Sequence, residues 1–199
     1  NWIKKWEADG VTKIDGICTQ MHLSCSMNDE TLNNRKKHIT QMFQLMANSG
    51  KLVRVSELDM GMDDANGNAV KTENMTEAMH KRMASYYEWI IKQYLKIIPA
   101  SQQWGICQWC ATDSPANSGW RANTPVGIWD LNYYRKHVYA GFVRGLGGIP
   151  TGIEGIKANE NACNNSIYDI HGQRFADGTD ISTLPAGIYI VNGKKVVKR

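Results

Sequence analysis

Apolar and polar positions along the chain follow two rhythms. Up to about residue 149, short apolar or alternating stretches each precede a long stretch with helical spacing. "KIDGICTQMHL" (13–23), "KLVRVSELDM" (51–60) and "QWGICQWCA" (103–111) read as strands. After the first, a helix opens on the capping residues Asn28 and Asp29. It carries Ile39, Met42, Phe43 and Met46 at helical spacing and stops at Asn48 to Gly50. After the second, a helix over 72–99 puts Met75, Met79, Met83, Tyr86, Tyr87, Ile90, Ile91 and Tyr94 near one face and is ended by Pro99. After the third comes a Gly/Pro/Asn-rich loop and a helix over 130–148, closed by glycines. "NWIKKWEADG" at the front reads as the end of a further helix. Strand–helix alternation predicts an α/β fold with a parallel sheet flanked by helices.

In the second strand, strict alternation puts Val53, Val55, Glu57 and Asp59 on one face, and Leu52, Arg54, Ser56 and Leu58 on the other. The expectation is that the valines line an interior whose mouth presents the two carboxylates. From residue 164 the rhythm becomes that of hairpins. "SIYDIHGQRF" and "GIYIVNGKKVVKR" alternate, "LPAG" reads as a turn, and Asn192-Gly193 is a two-residue hairpin signal. The predicted organisation is an α/β domain over 1–149, a linker over 150–163 and a small antiparallel β module over 164–199.

Composition narrows the choices little. The formal net charge of +4 is spread too thinly for a nucleic-acid footprint. No apolar run approaches the ~18 residues of a membrane span. The five cysteines, Cys18, Cys25, Cys107, Cys110 and Cys163, lack the spacing of a small disulfide scaffold. "CQWC" has C-x-x-C spacing but lies on a strand rather than at a helix N-terminus, and a zinc site wants a second pair. No metal and no cofactor is expected. The methionines fall in the helix stripes and read as core.

In parallel α/β folds, reactive groups collect at the C-terminal ends of strands. Those ends carry Gln20 and His22, then Glu57 and Asp59, then Trp109 and Asp113. An imidazole between two carboxylates can orient one of them and tune its charge. A carboxylate so held suits attack on a glycosidic carbon. An indole face suits stacking on the C–H face of a sugar ring.

"IDGICTQMHL", "RVSELDM" and "GICQWCATDS…W", in this order, resemble the last three strands of the catalytic barrel of glycoside hydrolase family 10, the retaining endo-β-1,4-xylanases. "IWDLNYYRKHVYAGFVRGL" is similar to that family's last helix. The resemblance covers about residues 1–146. It implies the C-terminal part, about three β-α units, of a TIM (β/α)8 barrel acting on xylan or xylo-oligosaccharide. It also implies that Glu57 is the nucleophile, that His22 hydrogen-bonds to it and that Asp59 holds His22. Gln20 is implied beside the reacting sugar, and Trp109 and Trp120 around the subsite for the glycon.

Two departures accompany the resemblance. Cys18 and Cys107 stand where the family usually has other residues, and parity turns both inward as potential neighbours. No Trp-x-x-x-Asn-Glu motif, which in the family supplies the acid/base carboxyl group, occurs here; Asn159 and Glu160 lie in the predicted linker. The expected partner is therefore a missing N-terminal half of the barrel, or a second copy. The alternative is a carbohydrate-binding or structural fragment. The tail, with "LPAGIYIV" and "GKKVVKR", resembles the C-terminal sorting module of secreted Bacteroidetes proteins. That resemblance implies a place outside the cytoplasm, secreted or at the cell envelope.

Overall fold

The computed structural model describes residues 2–148, 167–169, 173–176, 178–191 and 194–198. It divides into two compact units, residues 1–150 and 151–199. The predicted linker lies almost wholly outside the described residues, as does Cys163.

In the first unit a short helix α1 (Trp2–Trp6) leads to β1 (Gly16–Thr19) and β2 (His22–Ser26). Helix α2 (Asp29–Ala47) and the long strand β3 (Leu52–Asp63) follow. Then come α3 (Glu77–Ile97), β4 (Gln103–Gln108) and α4 (His137–Gly145). All pairing in this sheet is parallel. β3 is central, with β1 pairing along its first part, β2 along its last, and β4 also on β3. Helix starts follow the caps: Asn28 accepts from Thr31 N–H, and Thr76 from Met79 N–H.

The apolar stripes bury against one face of this sheet. Leu32, Ile39 and Phe43 of α2 and Met83, Tyr86, Tyr87, Ile90 and Tyr94 of α3 form the core with Val53, Val55, Leu58, Met60 and Met62 of β3. All nine methionines are buried in this core or packed against it. Gly141 of α4 lies so close to Ala84 of α3 that a Cβ there would overlap the Ala84 carbonyl. The Tyr94 hydroxyl donates to Val53 O at 2.7 Å and accepts from Gly105 N–H at 3.1 Å. It thereby fills the place where the β3–β4 register shifts between Val53 and Arg54.

Val53 and Val55 thus face the helices, and the expected shared face with the carboxylates is not what forms. The reason is a second register shift. From Val55 to Leu58, β3 takes three steps while β4 takes two, from Ile106 to Gln108. On the other side β3 takes four steps, Val55 to Asp59, against three from Thr19 to His22. One extra residue on β3 at Ser56-Glu57 is a β-bulge, which reverses the alternation. Before it the odd-numbered residues face the helices; after it the even-numbered ones do. Glu57 and Asp59 are carried to the opposite face.

Three further expectations are adjusted. The first strand is broken at Gln20-Met21, where Met21 takes φ +63°. The helix expected over 72–99 begins at Glu77, after a 3-10 turn at Thr72–Asn74. The helix expected over 130–148 begins only at His137, because Asp130 Oδ1 accepts the N–H groups of Asn132 and Tyr134 and holds that stretch as a turn.

In the second unit β5 (Ile167–Asp169), β6 (Gly187–Val191) and β7 (Lys194–Lys198) form an antiparallel sheet in that order. Val191 pairs with Lys194 on either side of the predicted hairpin turn, whose two residues lie outside the described ones. Ile167 and Tyr189 are buried, and Phe175 packs edge-on to Tyr189 at 5.9 Å. Among the described residues no helix is long and apolar enough to cross a membrane.

Candidate active site

Two backbone irregularities build the site. Met21, held in the left-handed region at a cost of about 1–2 kcal/mol, buries its side chain in the core. The next residue, His22, then starts β2 in register with Asp59. On β3 the bulge turns Glu57 to the same side. Its N–H donates to Gln20 O at 3.1 Å, while Ser56 Oγ donates to Thr19 O at 3.2 Å.

The three side chains form a row. His22 Nε2 lies 3.2 Å from Glu57 Oε2. His22 Nδ1 lies 3.1 Å from Asp59 Oδ1, off the line of an ideal hydrogen bond. An ionised carboxylate only accepts, so His22 bridges Glu57 and Asp59 when each ring nitrogen carries a proton. Glu57 Oε1 makes no hydrogen bond to the described residues.

Asp59 is fully buried. A bare carboxylate there would be prohibitively costly, and four groups offset that cost. Trp120 Nε1 donates to Oδ2 at 2.8 Å and Cys110 Sγ lies 3.7 Å from the same oxygen. His22 and, at 3.8 Å, Arg121 Nη1 face Oδ1. Arg121 is anchored by donating to Leu23 O at 2.7 Å. A Cβ at Gly61 would press on its Nη1 at 3.0 Å, so the small residue makes room for it.

Trp109 and Trp120 bracket the row. The His22 ring lies 4.6 Å from the Trp120 ring and 6.0 Å, edge-on, from Trp109. They remain 51% and 40% exposed, so both indoles reach the surface beside His22. Gln20 is exposed and meets Glu57 through its backbone carbonyl; no side-chain hydrogen bond ties it to the row among the described residues.

Asp113, the other carboxylate noted at a strand end, has a different environment. It is buried with Lys136, which donates to it and to the carbonyls of Pro125 and Gly127 at 2.9 and 3.0 Å. Gly127 N–H also donates to Asp113 at 3.0 Å. Burial pushes the Asp113 carboxyl up and the Lys136 ammonium down, and their mutual attraction opposes both shifts. This pair ties the loop after β4 to the start of α4.

The described thiols are unbridged. Cys18, Cys25, Cys107 and Cys110 are all free, so Cys18, which is exposed, and Cys107 form no disulfide. Burial pushes the Cys25 thiol up to about 11. No cluster of His, Cys, Asp and Glu among the described residues is arranged to hold a metal ion.

Sequence reasoning placed His22, Glu57, Asp59 and both tryptophans but missed Cys110 and Arg121 as partners of Asp59. The strand-end position of Cys110 was a signal for it. Nothing in the local pattern marked Arg121, which reaches Asp59 through a loop turn at φ +45°.

Comparison with known proteins identifies the family and the fold. Residues 1–144 match the family described as Glycosyl hydrolase family 10. The endo-beta-1,4-xylanase Xyn10C of Cellvibrio japonicus is 30% identical over 115 residues, 56% of this chain and 18% of that protein. The structure of native xylanase10C from that organism superposes with a TM-score of 0.59 at 24% identity, over 75% of this chain and 32% of that one. Its E385A mutant in complex with xylopentaose gives 0.59 at 26% identity, over 75% and 30%. Xylanase 10B from Thermotoga maritima gives 0.53 at 21%, over 73% and 40%. The chain therefore spans less than half the length of these relatives, and the fold they share with it is part of a TIM barrel. With the family matched over most of its length, the chain belongs to glycosyl hydrolase family 10.

Proposed function

We propose that this chain supplies the nucleophile half of a retaining endo-β-1,4-xylanase site. The observation that carries the reading is the Glu57–His22–Asp59 row beside two exposed indoles. In the proposed mechanism Glu57 Oε1 attacks the anomeric carbon of a bound xylose unit while a second carboxyl group, from outside the row, gives its proton to the leaving sugar oxygen. His22 holds Oε2, which orients the carboxylate and spreads its charge. Asp59 fixes the ring. Water, giving a proton back to that same second carboxylate, then displaces Glu57 from the glycosyl-enzyme, with net retention. Trp109 and Trp120 stack on the glycon, and Gln20 lies at the edge of the subsite.

A retaining glycosidase needs a second carboxyl group ~5–5.5 Å from the nucleophile. Asp59 is committed to Trp120 and His22, so this group comes from outside the row. We assign it to the part of the barrel that this chain does not contain. That part would also pair with the outer edges of the sheet, whose row of free backbone groups needs a partner. A second copy of the chain is the other possible occupant of those edges. The family's extracellular substrate and the resemblance of the tail to a sorting module support a location outside the cytoplasm.

The test is reducing-sugar release from xylan by the full-length protein and its Glu57→Gln form. Turnover should disappear in Glu57→Gln while xylo-oligosaccharide binding persists. An active Glu57→Gln enzyme would overturn the assignment. Binding without turnover in the unmodified protein would select the non-catalytic carbohydrate-binding reading.

A further inference from the structure

Two donors from the same loop meet on one oxygen of Asp59. Trp120 Nε1 reaches Oδ2 at 2.8 Å, and Cys110 Sγ lies 3.7 Å from it, within range for a thiol hydrogen bond. The other oxygen faces His22 Nδ1 and, farther off, Arg121. We propose that Cys110 is a positioning residue of this site. Its thiol hydrogen bond to Oδ2 fixes the plane of the Asp59 carboxylate, so that Oδ1 stays aimed at His22 and, through His22, at Glu57. The inference rests on the row being the reactive group, although its main readout does not.

The final torsion of an Asp side chain is broad and roughly two-fold. Oδ1 has no aligned hydrogen-bond donor, so a single donor on Oδ2 would leave the carboxylate free to swing about that torsion. A second donor on Oδ2, from a different direction, selects one orientation. Cys110 can act this way because its own backbone is held. Gln108 Nε2 donates to Cys110 O at 3.0 Å and to the Tyr87 hydroxyl of α3 at 3.3 Å, and Trp109 N–H donates to Leu58 O at 3.0 Å. Trp120, by contrast, is partly exposed on a loop and has a ring face that a ligand would press against.

The charges around the sulfur agree with a donor. Burial and then the Asp59 carboxylate push the Cys110 thiol up to about 11, with Asp113 adding to the rise and Arg121 opposing it. At neutral pH the group is therefore S–H, a donor and a poor nucleophile. The remaining titratable groups facing Asp59 are His22 from β2 and Tyr87 from α3, whose hydroxyl burial also keeps neutral.

The test uses the full-length protein, with Cys110→Ala and Cys110→Ser. The readout is the downfield proton resonance of His22 Nδ1–H, assigned by its loss in His22→Gln. With the carboxylate free to turn away, the resonance should move upfield and broaden in Cys110→Ala. It should return most of the way in Cys110→Ser, which restores a donor. On an aryl xylobioside, kcat/KM should fall about three- to tenfold in the alanine form, the size of one lost hydrogen bond, and recover in the serine form. An unmoved resonance, a downfield shift, or equal changes in both forms would overturn the proposal. An active Glu57→Gln enzyme alongside the predicted resonance shifts would instead sink the nucleophile assignment and leave the positioning intact.

Discussion

Asp59 and Asp113 are both aspartates near the C-terminal ends of neighbouring strands, and both are buried, at 0% and 2% exposure. Their surroundings differ in kind. Asp113 has a full counter-charge, Lys136, and a backbone donor, Gly127 N–H. It is closed off and holds a loop to a helix. The nearest contacts of Asp59 are an indole N–H, a thiol and an imidazole, with Arg121 farther away. Its orientation is set without its charge being cancelled at close range, so it can act on His22. The nature of the nearest donor, more than burial, separates a structural carboxylate from one that orients a reactive group.

The sharpest way to break this comparison is to strip each aspartate of its partner. Lys136→Met leaves Asp113 buried without a counter-charge and should cost about 3–5 kcal/mol of stability in the full-length protein. The loss should shrink in the Asp113→Asn/Lys136→Met double variant, measured by denaturant unfolding. If Lys136→Met is as stable as the parent, Asp113 is not held as described. Asp59→Asn should cost less, about 1–3 kcal/mol, because it remains a polar group among donors. It should, however, remove the downfield His22 resonance that Lys136→Met, where folded, retains. Loss of that resonance in both would erase the distinction between the two sites.

Two smaller effects test the frame around them. Tyr94→Phe removes the hydroxyl that bridges β3 and β4 and should cost about 1–3 kcal/mol by leaving Val53 O and Gly105 N–H unpaired. The smallest effect concerns pH. His80 is stacked on His137 at 6.1 Å, and its pKa is lowered first by burial, then by the charges of Lys136 and His137, against Glu77. A base with a lowered folded-state pKa binds fewer protons when folded. Its contribution is intact above the ordinary value of 6.5 and is lost as pH falls below it. His80→Gln should therefore flatten part of the drop in melting temperature between about pH 7.5 and 5. An unchanged drop contradicts this reading of His80.

Much of this was legible in the residues. The helix stripes, the Asn28 cap and the Met-rich core follow from local spacing and side-chain chemistry. The order of three motifs pointed to the family and to His22, Glu57, Asp59, Trp109 and Trp120. What was not legible depends on register or on distant pairs. Alternation counts positions and cannot detect an inserted residue, so the bulge at Ser56-Glu57 reversed the predicted facing of Val53 and Val55. Met21 is a most improbable residue for positive φ, and nothing around it announces the break between β1 and β2. Asp113 read as one of several strand-end groups because its partner lies 23 positions away. Trp120 read only as a stacking face because its N–H meets a carboxylate 61 positions earlier.

The central claim is that Glu57 is the group that bonds to the sugar. The most direct measurement is covalent trapping in the full-length protein with a 2-deoxy-2-fluoro-xylobioside carrying a good leaving group, followed by peptide mass mapping. The account predicts one added disaccharide, carried by the peptide containing Glu57, and no adduct in Glu57→Gln. An adduct on another carboxylate, or complete turnover of the reagent with inverted product and no adduct, would contradict it.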